Sequence, residues 1–143
     1  MNKNFILSGL VATIVNLLIV AGLHFLFLKD IMQANPPVSA EFHQQLIRPP
    51  DQLIGWAMVA TSLTMGFFIA TVIKWSGART FGSGLKKGFI VGFLFWSSVN
   101  FGLYASSNQF SQVGVFADLP CSALAMAVAS AVAAWVLGKG KTI

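Results

Sequence analysis

Asn16, His24, Asn100, Tyr104 and Asp118 are the side chains of this sequence with chemistry to offer inside or at the edge of long apolar runs. Amide and ionisable groups are costly in hydrocarbon and normally turn toward a partner, so each is a default candidate for function. A histidine beside a carboxylate can switch charge near neutral pH, as a proton-coupled carrier needs, and that makes His24 with Asp118 the pair to consider first. Each residue also has a plainer reading. Asp118 in Ala-Asp-Leu-Pro precedes Pro120, and this order predicts the N-cap of a helix. His24 stands near Lys29 and could simply reach the headgroups. Asn16 and Asn100 suit interhelical hydrogen bonds.

Little else in the chain has catalytic form. There is no Ser-His-Asp set, no Gly-rich phosphate loop and no carboxylate pair. The only other histidine, His43, lies in a loop, so no metal or haem ligand set is expected, and no cofactor is called for. A single cysteine, Cys121, allows neither an internal disulfide nor a dithiol relay. The chain is expected not to be an enzyme.

The elements that position these residues follow from composition. Of 143 residues, 56% are hydrophobic and 9% charged, against about a quarter charged in soluble proteins. The mean hydropathy is +0.76. Four stretches, 5–28, 53–73, 88–106 and 119–137, are long and apolar enough to cross a hydrocarbon core of about 30 Å, which takes roughly 20 helical residues. Runs such as FILSGLVATIVNLLIVAGLHFLFL do not alternate as barrel strands must. The first stretch is too long for a leader's apolar region and ends in HFLFLKD, so it is read as a retained span. The predicted fold is a single all-α membrane domain of four transmembrane helices in an antiparallel bundle.

Charge sets the expected topology. Lys3, Lys74, Arg79, Lys86, Lys87, Lys139 and Lys141 fall on one side of the four spans, and only Lys29 and Arg48 on the other. The positive-inside rule then places the N and C termini in the cytoplasm and leaves Asp30, Glu41, Asp51 and Asp118 at the outer face. The net charge of +5 is therefore topological, and no nucleic-acid partner is expected. In this frame His24, Tyr104 and Asp118 lie in the outer layer and Asn16 and Asn100 nearer mid-depth. One polar cluster open to the outside is predicted.

The outer loop 29–52 is bounded by Pro36-Pro37 and Pro49-Pro50, and Ser39 can cap a short interfacial helix over 40–47 with Phe42 and Leu46 on one face. Glycines at 77, 82 and 84 suit a tight inner turn, and the uncharged 107–117 connection is expected to rest in the interface. Gly84, Gly88 and Gly92 recur every four residues, a spacing that permits close helix packing. Ala123, Ala125, Ala127, Ala129, Ala131, Ala133 and Ala134 leave the fourth helix with little bulk, so it should pack centrally or form a subunit contact.

The stretches NKNFILSGLVATIVNLL, FLKDIMQAN with a later RPPD, GLKKGFIVGF followed by LYASSN, and the terminal WVLGKGK together make a pattern. It resembles a family of small four-helix bacterial inner-membrane proteins whose activity is not established. That resemblance implies a multi-pass location in a bacterial cytoplasmic membrane and the four-helix plan, with no functional residues to carry over. The first helix lacks the glutamate of small multidrug exporters, and the cysteine pairs of quinone-linked thiol oxidases and of claudins are missing. Two expectations remain. One is a non-catalytic packing or accessory protein in the lipid bilayer that associates with itself or with a larger membrane complex. The other is a small-solute or proton-coupled carrier or channel working as a homodimer through the outer polar cluster.

Overall fold

The computed structural model of the protein describes residues 3–139, and Lys141 of the predicted inner charge cluster lies outside them. Every regular element among the described residues is helical. In chain order these are α1 (Lys3–Leu23), a π turn (His24–Leu28), α2 (Lys29–Ala34), α3 (Ala40–Leu46), a 3₁₀ turn (Pro50–Gln52), α4 (Gly55–Trp75), α5 (Phe81–Ser106) and α6 (Gln112–Gly138). Four helical stretches, Lys3–Ala34, Gly55–Trp75, Phe81–Ser106 and Gln112–Gly138, are long and apolar enough to cross a membrane.

Several ends lie beyond the apolar windows, because hydropathy marks where hydrocarbon would begin while the backbone stops only where a cap or a proline stops it. The first helix does not end at Lys29: through the π turn, where Lys29 N–H bonds the His24 carbonyl, it continues to Ala34. It closes at Asn35, whose side chain donates to the Ile31 carbonyl at 2.9 Å and whose place before Pro36 disfavours further helix. α5 starts at Phe81 rather than 88, since Thr80 and Ser83 form a reciprocal capping box. Gly82 and Gly84 are therefore helical, and Gly77, with φ of 73°, is the residue the turn itself requires.

The largest correction concerns α6. It begins at Gln112, with Ser111 Oγ accepting from Gly114 N at 3.0 Å, and runs through Pro120. Asp118 is thus inside the helix and is not its N-cap. Val113, Val115 and Phe116, expected in a connecting loop, belong to the helix as well.

α6 is the central element. Its alanines at 123, 125, 127, 129, 131, 133 and 134 are buried within the chain, so the central alternative holds and these residues are not free for a subunit contact. α1, α4 and α5 all pack on it. α1 also packs along α4, whereas α5 leans almost wholly on α6, touches α4 lightly and does not approach α1. Close approach is made through small residues, as expected where lipid offers no hydrophobic drive to association. Gly84 faces Ala131 and Ala134, Gly88 faces Ser130, and Gly92 faces Ala123 and Met126. The α1–α4 crossing uses Gly66 against Gly9 and Thr13. Between them Ala12, Ile69, Ile73, Met126, Ala129 and Ala133 form the core, with Trp96 packed at its edge.

Two ends of differing charge result. At one, the Asn4 amide donates to the Lys139 carbonyl, Lys87 donates to the Ser76 carbonyl, Lys74 lies 4.9 Å over the Phe5 ring and Lys139 lies 3.4 Å over the Trp135 ring. At the other stands α3, capped by Ser39, whose Oγ accepts from Phe42 N at 3.3 Å. Among the described residues α3 packs on no other helix, and Phe42 and Leu46 are exposed.

Candidate functional site

Asp118 lies in the second turn of α6, at the end away from the basic residues. At 1.5 Å per residue α6 is about 40 Å long, more than a hydrocarbon core of about 30 Å, and Asp118 stands about 9 Å from its N-terminal end. Its carboxylate is half-buried, and a single oxygen, Oδ2, takes two hydrogen bonds. Asn100 Nδ2 donates from α5 at 2.7 Å, and Ser122 Oγ donates from the next turn of α6 at 3.0 Å. Asn100 is 7% exposed. The three side chains make a polar clamp across the α5–α6 contact, four turns beyond the point where Gly84 makes its own.

The sequence places Asn100 here for a simple reason: it shares the α6-facing side of α5 with the glycine stripe, and its amide is what a buried carboxylate accepts. Pro120, one residue from Leu119 and two from Asp118, has no N–H to give the carbonyl one turn back, and its ring is exposed. Cys121 beside it is free and partly exposed.

Of the five predicted members of an outer cluster, the structure joins Asn100 and Asp118 and leaves the others apart. His24 sits on the π turn, exposed, with its ring edge-on to Phe25 at 5.6 Å. It makes no ion pair or hydrogen bond with Asp118 among the described residues, so the proton-passing pair does not form. Tyr104 is exposed at 44%, and Asn16 is half-buried with no side-chain hydrogen bond among the described residues. The π turn is part of the reason: it adds a residue to one helical turn and carries Phe25, Leu26 and Phe27 outward while Leu28 turns in.

Ser122 was not singled out from the sequence, although its spacing of four from Asp118 on one helix was the available signal. Ser8 was missed too: fully buried on α1, its Oγ donates to the Ala133 carbonyl of α6 at 3.2 Å. Hydroxyls within the long helices can satisfy themselves on the carbonyl one turn back, and Ser62 and Thr71 do so at 2.9 and 2.7 Å. Thr61, Thr64, Ser97 and Ser98 do not, and Ser97 Oγ is buried without a partner among the described residues. No group of three or more His, Cys, Asp or Glu side chains is arranged to hold a metal among the described residues. No protein-family model, curated protein or solved structure matches the chain.

Proposed function

We propose that this is a non-catalytic packing or accessory protein of a bacterial cytoplasmic membrane, an antiparallel four-helix bundle with both termini in the cytoplasm. Within it Asn100, Asp118 and Ser122 act as an interhelical clamp. The observation that carries this reading is that the carboxylate's hydrogen bonds come from the chain's own Asn100 and Ser122, while His24, Asn16 and Tyr104 stand apart from it. A clamp needs an acceptor at residue 118 and does not need an acid. Asp118→Asn keeps a carbonyl oxygen for both donors, so the change in stability should stay near the roughly 0.6 kcal/mol typical of interhelical hydrogen bonds in membranes. Asp118→Leu leaves the Asn100 amide buried and unsatisfied, at a cost of about 1–3 kcal/mol. Unfolding of the purified protein in sodium dodecyl sulfate measures both. Equal losses in the two variants would remove the clamp.

Asp118 is only half-buried, and that favours a second reading in which the carboxylate carries a proton or small cation across the layer boundary. On that reading Asp118→Asn keeps its fold and loses flux in proteoliposomes. The same variant therefore separates the two.

The sidedness is supported by the basic residues Lys74, Arg79, Lys86 and Lys87 clustered around one end. In a Cys121→Ala background, Gln44→Cys should react with an impermeant maleimide in intact cells, and Phe81→Cys only after lysis. The reverse pattern would invert the topology.

A further inference from the structure

α4 and α5 barely touch, and the space between them is a lateral groove of about 510 Å³ lined by Trp56, Ala60, Thr61, Thr64 and Phe68 of α4 and Phe95 of α5. From Trp56 to Phe68 it follows α4 for about 18 Å at 1.5 Å per residue, and about 10 Å of this lies beyond Thr61, room for the upper part of one acyl chain. A second depression of about 320 Å³ adjoins it across Ala57 and Thr61, both small enough to leave a low saddle, and Arg48 forms its rim.

Two observations select an occupant. Arg48 has no ion pair and no hydrogen bond among the described residues, so a positive charge stands unpaired at the edge of the second depression. Thr61 and Thr64 withhold the backbone bond that Ser62 and Thr71 make on the same helix, and both residues line the groove with hydroxyls that have no partner among the described residues. A guanidinium at the edge of the second depression, the Thr61 hydroxyl where the two hollows meet and an apolar channel beyond it match an anionic phospholipid: phosphate, ester carbonyl and hydrocarbon in that order. We propose that this groove and the depression beside it form a binding site for one anionic phospholipid, with its phosphate at Arg48, an ester oxygen accepting from Thr61, and one acyl chain running along α4 toward Phe68 and Phe95. The proposal rests on the helices lying in a bilayer and is independent of the role of Asp118.

The test is native mass spectrometry of the full chain released from mild detergent with phosphatidylglycerol or phosphatidylcholine of identical chains. The parent should retain one phosphatidylglycerol with about tenfold preference, the factor that one charge-assisted contact supplies. Arg48→Gln should abolish the preference and leave weak, equal retention of both lipids, and Ala60→Trp should fill the groove and remove both. Lys86→Gln, at the opposite end, should change nothing. The proposal is overturned by equal retention of the two lipids in the parent, by a preference that survives Arg48→Gln and vanishes with Lys86→Gln, or by a lipid-free dimer that Ala60→Trp dissociates. The last outcome would assign the groove to a second copy of this chain. Because the parent's lipid preference is read on the unaltered protein, a variant that fails to fold does not remove the test.

Discussion

Gly88→Leu is expected to unseat α5 from α6. A Cβ at this position would stand 2.2 Å from Ser130 Cβ, 2.4 Å from Ser130 Oγ and 3.1 Å from the Met126 carbonyl, so both a side chain and backbone oppose it. Overpacking of a formed core costs about 1–3 kcal/mol, and here the obstacle lies at the first side-chain atom, so about 3 kcal/mol or more is expected. Since α5 has almost no other partner, the loss should appear as α5 detaching and not as a uniform softening. Gly102→Leu is the control on the same helix, because nothing lies within 4 Å of a Cβ there. Replacing that glycine should be neutral or stabilise by up to about 1 kcal/mol through helix propensity. Unfolding in sodium dodecyl sulfate, followed through a label placed on α5, checks the pair. Similar midpoints for the two variants would mean that α5 does not seat through its glycines.

Gly66→Ala should be nearly as damaging although it adds one methyl group. The new carbon would fall 1.9 Å from Thr13 Oγ1, 2.6 Å from the Gly9 carbonyl oxygen and 2.6 Å from Thr13 N. The hydroxyl can be removed and the backbone cannot, so Thr13→Ala in the same chain should restore only part of the loss. The residual coupling should be of order 1 kcal/mol in a double-mutant cycle. Gly9→Ala at the same crossing should cost less, since its nearest neighbours are atoms of the Phe67 ring, which can turn aside. Full rescue by Thr13→Ala would show that the two backbones are not in contact at this crossing.

The spans were legible because hydrophobicity over about 20 residues is a property of composition and needs no knowledge of neighbours. The short surface helix was equally readable, since Ser39 and the prolines around it act locally. The glycine stripe of α5 could be picked out by its repeat, but Gly66 and Gly9 have none and were passed over. Faces were the harder matter. A helix apolar all round carries no stripe to say which side meets protein and which meets lipid, so Asn16, His24 and Tyr104 could not be oriented from sequence, and that Asn100 continues the four-residue spacing of Gly84, Gly88 and Gly92 was a signal left unused. Asp118 was misread for a different reason. Pro120 is tolerated inside a membrane helix, where surrounding groups satisfy the freed carbonyl, and the rule that starts a helix just ahead of proline fails there.

The central place of α6 bears on how the chain comes off the ribosome. α1 and α4 can pair through Gly66 as soon as both have left the translocon, but the third span emerges with its glycine ridge facing nothing. It must drift in the bilayer until the fourth span follows, and the last of the four spans to be synthesised is the keystone for the others. A nascent polypeptide stalled after Ser106 would therefore hold a joined pair and one loose helix, a natural substrate for membrane quality control.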